Sequence, residues 1–160
     1  MSIEASIDLR VTQLPLRTLV SPIKILQKLL KFGWTLQHDG RMFYLPLGDD
    51  DMFDWTDEKM SVVSFMKILE EKERRNELIG VRLTWQDTKR GGNILLQNSE
   101  NMSKSSMYDN ILFSLDANRK ILNDDKFLKI IDVNWYLTKL LPIFNDGDTL
   151  VEHFTYDEHI

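Results

Sequence analysis

The run Gly48-Asp49-Asp50-Asp51-Met52-Phe53-Asp54-Trp55-Thr56-Asp57-Glu58 places six carboxylates in eleven residues, with no basic residue among them. Three kinds of chemistry can use such a run. Carboxylate oxygens are the usual ligands of Mg²⁺ and Ca²⁺, and Asp49-x-Asp51 is a fragment of that pattern. The alternating acids, central glycine and distant Glu of a calcium loop are missing, however. Acids ahead of a helix also cap it and meet its positive end, which makes the run a solvated lead-in to a helix. In the third reading the run is a protein-binding surface. Phe53 and Trp55 stand among Asp49, Asp50, Asp51, Asp54 and Asp57. Aromatic anchors with a charged rim are the composition of an interface, and an acidic patch speeds the encounter with a basic partner. Under that reading these seven residues form the partner-binding set.

Other constellations carry less. The chain has no cysteine, which excludes disulfides, thiolate nucleophiles and thiolate-held zinc. No Gly-x-Ser-x-Gly elbow occurs. The three histidines, His38, His153 and His159, stand in no zinc-binding spacing, and each reads as a surface residue. His153 follows Glu152, but neighbours on a strand point to opposite faces. Arg90-Gly91-Gly92 reads as a hairpin turn rather than a phosphate cradle. No catalytic residue, metal or cofactor is therefore expected.

These residues have to be positioned by a single domain of α+β class. The 160 residues include 42% hydrophobic and 28% charged ones, the balance of a globular chain. Lys and Arg number 20 against 25 Asp and Glu, a net charge of −5, which disfavours direct nucleic-acid binding. No apolar run approaches the roughly 18 residues of a membrane span. Met1–Arg10 lacks the basic-then-apolar pattern of a signal peptide, so the cytoplasm is the expected compartment.

Alternation predicts a strand over 7–16, which Pro15 ends or places at an edge. Ser21-Pro22 opens a helix that Gly33 closes. Trp34–Leu47 reads as a hairpin around Asp39-Gly40. A second helix is expected from Thr56 or Asp57 to Asn76, with Val62, Phe65, Met66 and Leu69 buried. Its charged last turns, Glu70 to Arg75, should project into solvent, with Glu70–Arg74 and Glu71–Arg75 pairs. Strands follow at 78–85, 93–97 and 111–115, with a polar loop at 98–106 and a turn at 116–120. Asp132 caps a third helix reaching Phe144, with Val133, Leu137, Leu140, Leu141 and Phe144 inward and at least one of Trp135 and Tyr136 outward. A short edge strand over 150–156 completes a mainly antiparallel sheet with about three helices, spanning 1–160 as one domain.

Tyr44-Leu45-Pro46-Leu47-Gly48-Asp49-Asp50-Asp51-Met52-Phe53-Asp54-Trp55, with the later Ile79-Gly80-Val81-Arg82-Leu83-Thr84-Trp85 and Gly91-Gly92, resembles small bacterial immunity proteins. These are encoded beside polymorphic toxins, including those of contact-dependent growth inhibition systems. The resemblance covers the middle of the chain. It implies a non-enzymatic cytoplasmic protein that binds and blocks one cognate toxin domain, often a nuclease. A nuclease surface is basic because it grips phosphates, and an acidic inhibitor suits it. Two rival expectations remain: a metal-dependent hydrolase using the Asp49–Asp57 carboxylates, and an accessory subunit of another bacterial complex.

Overall fold

The computed structural model describes residues 4–36, 38–49, 53–86, 88, 90–98, 109–116 and 131–159. The elements run β1 (Glu4–Gln13), β2 (Thr18–Leu19), α1 (Pro22–Phe32), β3 (Trp34–Thr35), β4 (Arg41–Tyr44), β5 (Thr56–Lys59), α2 (Val62–Arg74), β6 (Ile79–Trp85), β7 (Gly91–Leu96), β8 (Ile111–Leu115), α3 (Val133–Leu140), a 3-10 turn (Leu141–Phe144) and β9 (Thr149–His159). The strands form one antiparallel sheet of α+β type in the order β9-β1-β8-β7-β6-β4-β5. β2 extends the β8 side of β1, and β3 pairs with the end of β6. The expected loop over 98–106 and turn over 116–120 lie largely outside the described residues.

Local signals explain the helix ends. The Ser21 hydroxyl accepts from Lys24 N, Pro22 takes the first helical position, and Gly33 closes α1 at φ 140°. α2 begins later than its acids suggest. Ser61 is its cap, accepting from Ser64 N, and Thr56–Lys59 is instead an edge strand on β4. Val62 is consequently exposed, while Phe65 and Leu69 are buried. α3 is shorter than expected because Pro142 cannot continue it and the chain tightens into the 3-10 turn.

The three described helices cover one face of the sheet. There Ile7, Leu9, Val81, Ile94 and Phe113 meet Ile25, Leu29, Phe65, Leu69 and Leu140 in one core. Leu45, Leu78 and Leu95 form a smaller cluster, with Trp55 and Leu112 packed on it. Asp39 and Gly40 both take positive φ, as a two-residue reversal demands. The hairpin they close is only a bridge, His38 to Arg41, because Trp34 and Thr35 pair with Trp85 and Thr84 of β6. Gly91 and Gly92 lie within β7 rather than in a turn. A Cβ at Gly91 would stand 1.9 Å from Leu83 O, and one at Gly92 would stand 2.0 Å from Ser114 O. Bare backbone is what lets β6, β7 and β8 approach there.

Neither Trp135 nor Tyr136 faces outward. Tyr136 is buried and its hydroxyl donates to Gly91 O, while Trp135 packs edge-on against Trp34 and Trp85. Trp34 is enclosed by Trp85, Phe113 and Trp135, and its indole N–H donates to Lys139 O at 3.0 Å. Among the described residues no helix is long and apolar enough to cross a membrane.

Candidate functional site

The acidic run divides into two parts with opposite fates. Asp49 is buried, contrary to the expected exposure of the loop. Its Oδ2 accepts the Asp54 amide at 2.7 Å, which closes the loop on itself. Asp50 and Asp51 lie outside the described residues. Phe53 is 84% exposed, Asp54 and Asp57 are exposed, and Trp55 is half-buried. Trp55 lies flat against Phe43, with ring centroids 5.1 Å apart and planes 23° apart. The structure thus brings Phe53, Asp54, Trp55 and Asp57 to one outer edge of the sheet and withdraws Asp49 from it.

The device that withdraws Asp49 comes from a stretch that reads as solvated. Lys72, in the charged last turns of α2, is fully buried. Its Nζ donates to Pro46 O at 2.8 Å and to Asp49 O at 2.9 Å, and lies 3.5 Å from Glu77 Oε1. Glu77 in turn accepts from Gly48 N. A buried ammonium needs such acceptors, since an uncompensated charge inside a protein costs several kcal/mol. Lys72 therefore pins loop 46–49 to α2 and fixes where the aromatic segment starts. Around it, Glu71 pairs with both Arg74 and Arg75, and Arg75 also reaches Glu77.

β5 carries the other end of the run. Asp57 Oδ1 accepts from Arg41 Nε at 2.9 Å across the β4–β5 pair, and Arg41 Nη2 also reaches Asp57 O. On the helix side, Glu58 accepts from Tyr44 OH at 3.0 Å. Burial, then that hydrogen bond, push the Tyr44 phenol up to about 12. Beside this edge, on the face opposite the described helices, lies a cleft of about 220 Å³. Leu36 and Phe43 supply its apolar surface, and Arg41, Asp57, Arg82 and Thr84 its polar one, with His38 at its margin. Arg82 is held by a two-pronged pair with Asp116, Nη1 to Oδ1 at 2.8 Å and Nη2 to Oδ2 at 2.6 Å. That bonding raises the guanidinium pKa further.

The sequence reading missed Arg41, Arg82 and Phe43. Their types are ordinary for strands, and only the pairing of β4, β5 and β6 brings them together. Among the described residues no three His, Cys, Asp or Glu side chains are placed to hold a metal ion. The arrangement has the parts of a recognition surface: an exposed ring, a stacked pair on the same edge, and charges of both signs fixed by partners. The chain matches no protein-family model, no curated protein and no solved structure.

Proposed function

We propose that this chain is a non-enzymatic binding protein that neutralises a cognate bacterial toxin domain, as the immunity proteins it resembles do. The toxin would be of the contact-dependent growth inhibition kind, met in the cytoplasm, and most suitably a basic nuclease. The observation that carries the reading is Phe53, 84% exposed at the sheet edge beside the Phe43–Trp55 stack and the carboxylates of Asp54 and Asp57. A large ring left in water costs the free protein solvation and gains when a partner covers it. The carboxylates around it favour a partner of positive charge.

The test is co-expression with toxin domains encoded beside this gene, scored by survival, followed by binding kinetics for the pair that survives. Phe53→Ser should speed dissociation by about tenfold or more, the effect of losing an interface anchor. Asp54→Asn should slow association and flatten its salt dependence. Survival with no toxin domain, or wild-type kinetics in both variants, overturns the reading.

A further inference from the structure

The sheet forks where β4 leaves β6. Tyr44 is in register with Val81, and Leu45 N donates to Gly80 O at 2.9 Å. Three residues earlier the two strands have parted. Arg41 exchanges both its backbone bonds with His38, at 3.0 and 3.1 Å, while Thr84 and Trp85 of β6 take Thr35 and Trp34 instead. A strand that changes partner opens a gap between the side chains above it, and the cleft lies in that gap. Its chemistry is unlike that of the chain as a whole. On a protein of net charge −5, two guanidiniums, each paired with one carboxylate, meet around the side chains of Leu36 and Phe43.

Both guanidiniums are steadied by an acid yet keep donors in hand. Arg41 uses Nε and Nη2 on Asp57, and Arg82 uses Nη1 and Nη2 on Asp116. Among the described residues, Arg41 Nη1 and Arg82 Nε have no acceptor. An arginine whose fork is held in place by an acid loses little freedom when it binds a second acceptor. Trp55 covers one face of Phe43 and holds that ring in place. The cleft, at about 220 Å³, falls below the usual range of about 300–1,000 Å³ for cofactor and drug-sized ligands. It has room for one planar group and its charge.

We infer that this fork cleft is a recognition site for a carboxylate carried next to an aromatic ring, the ring against Leu36 and Phe43 and the carboxylate between Arg41 and Arg82. Two sources offer that chemistry: a free aromatic acid, and the C-terminal aromatic residue of a partner protein. The inference does not depend on the toxin reading, because it concerns the isolated chain.

The experiment is an NMR titration of the labelled full chain, following the Arg Nε–H signals and the Phe43 ring. The probes are benzoate and acetyl-Gly-Gly-Phe as its free acid. Controls are benzamide, the amide of the same peptide, and inorganic phosphate. Either acid should shift the signals of Arg41, Arg82 and Phe43, with Kd of about 1 mM or tighter. Its amide should bind about tenfold more weakly or worse, having lost the charge-assisted bonds. Arg41→Gln, at an exposed position, should weaken the acid about tenfold and leave thermal unfolding nearly unchanged. Phe43→Leu supplies a second test through the ring contact, with the same weakening expected. Tighter binding of benzoate assigns the site to a free acid, and tighter binding of the peptide assigns it to a partner's terminus. Equal binding of acid and amide, tighter binding of phosphate, or shifts confined to other residues would overturn the proposal. Wild-type affinity in Arg41→Gln would overturn it too. None of these results touches the survival test, so the two ideas fail separately.

Discussion

Two aromatic groups flank the same sheet, and they differ in how they end. On the helix side Trp34 is closed in by Trp85, Phe113 and Trp135. Lys139 lies over Trp85 and Arg90 over Trp135, each 4.9 Å from the ring. On the other side Phe43 and Trp55 form a two-ring stack, and beside them Phe53 stands almost wholly in water. Enclosure on several sides turns an aromatic ring into a stabiliser of the fold, through area and through edge-to-face contact. Where packing stops short, a ring is left as surface. Residue type is shared by the two groups, so the number of neighbours decides the role.

That comparison can be broken first at its interior member. Trp34→Ala should cost about 3–5 kcal/mol of stability in urea unfolding, the range for a buried large ring, and leave the Phe53 edge intact in whatever remains folded. Lys72→Met should cost about 3 kcal/mol, because the carbonyls of Pro46 and Asp49 and the Glu77 carboxylate lose a buried partner. It should also free loop 46–49, read as faster amide exchange at Gly48 and Asp54.

Trp55→Ala should fall between the two groups, at about 1–2 kcal/mol, since the ring is half-buried and stacked. A cost as large as that of Trp34→Ala would merge the two groups into one. Tyr44→Phe should cost about 1 kcal/mol near neutrality by removing the hydroxyl donated to Glu58. Its pH signature is sharper. The folded phenol ionises near 12 rather than 10, so its contribution is complete below pH 10 and is lost as pH rises towards 12. The wild type should lose stability over that alkaline interval more steeply than the variant does. Phe53→Ser should change stability by no more than about 0.5 kcal/mol. A larger loss would mean that the exposed ring supports the fold after all.

Some of this was legible residue by residue. Ser21, Pro22 and Gly33 act within one helix, and Asp39-Gly40 acts within one turn, so their meaning is local and survives folding. The α+β class and the alternation of β1, β6 and β8 follow from period alone. The edge strand β5 was hidden because Thr56, Asp57 and Glu58 have the chemistry of a helix start, while Ser61 is the actual cap. Lys72 was hidden inside Glu70–Arg75, where five charged neighbours suggest water on every side. The partner of Trp34 was hidden because a clear turn signal favoured β4, and β6 won by offering Trp85. Phe53, Trp55 and Asp57 were visible by composition, whereas the Arg41, Arg82 and Asp116 arrangement needs strands far apart in sequence.

The pairing of β1 with β9, in which Ile7 lies opposite Tyr156, has a kinetic consequence. Of the described strands that pair with β1, β8 and β9 follow it by about 100 residues or more, whereas β2 follows at once. Until β8 and β9 emerge, among the described strands only the two residues of β2 can pair with it. Loop closure over such a span is entropically costly and slows folding. During synthesis the apolar face of Ile7 and Leu9 therefore waits without a strand on either side. Folding should be limited by the arrival of β8 and β9, and the waiting strand is where a chaperone would be needed most.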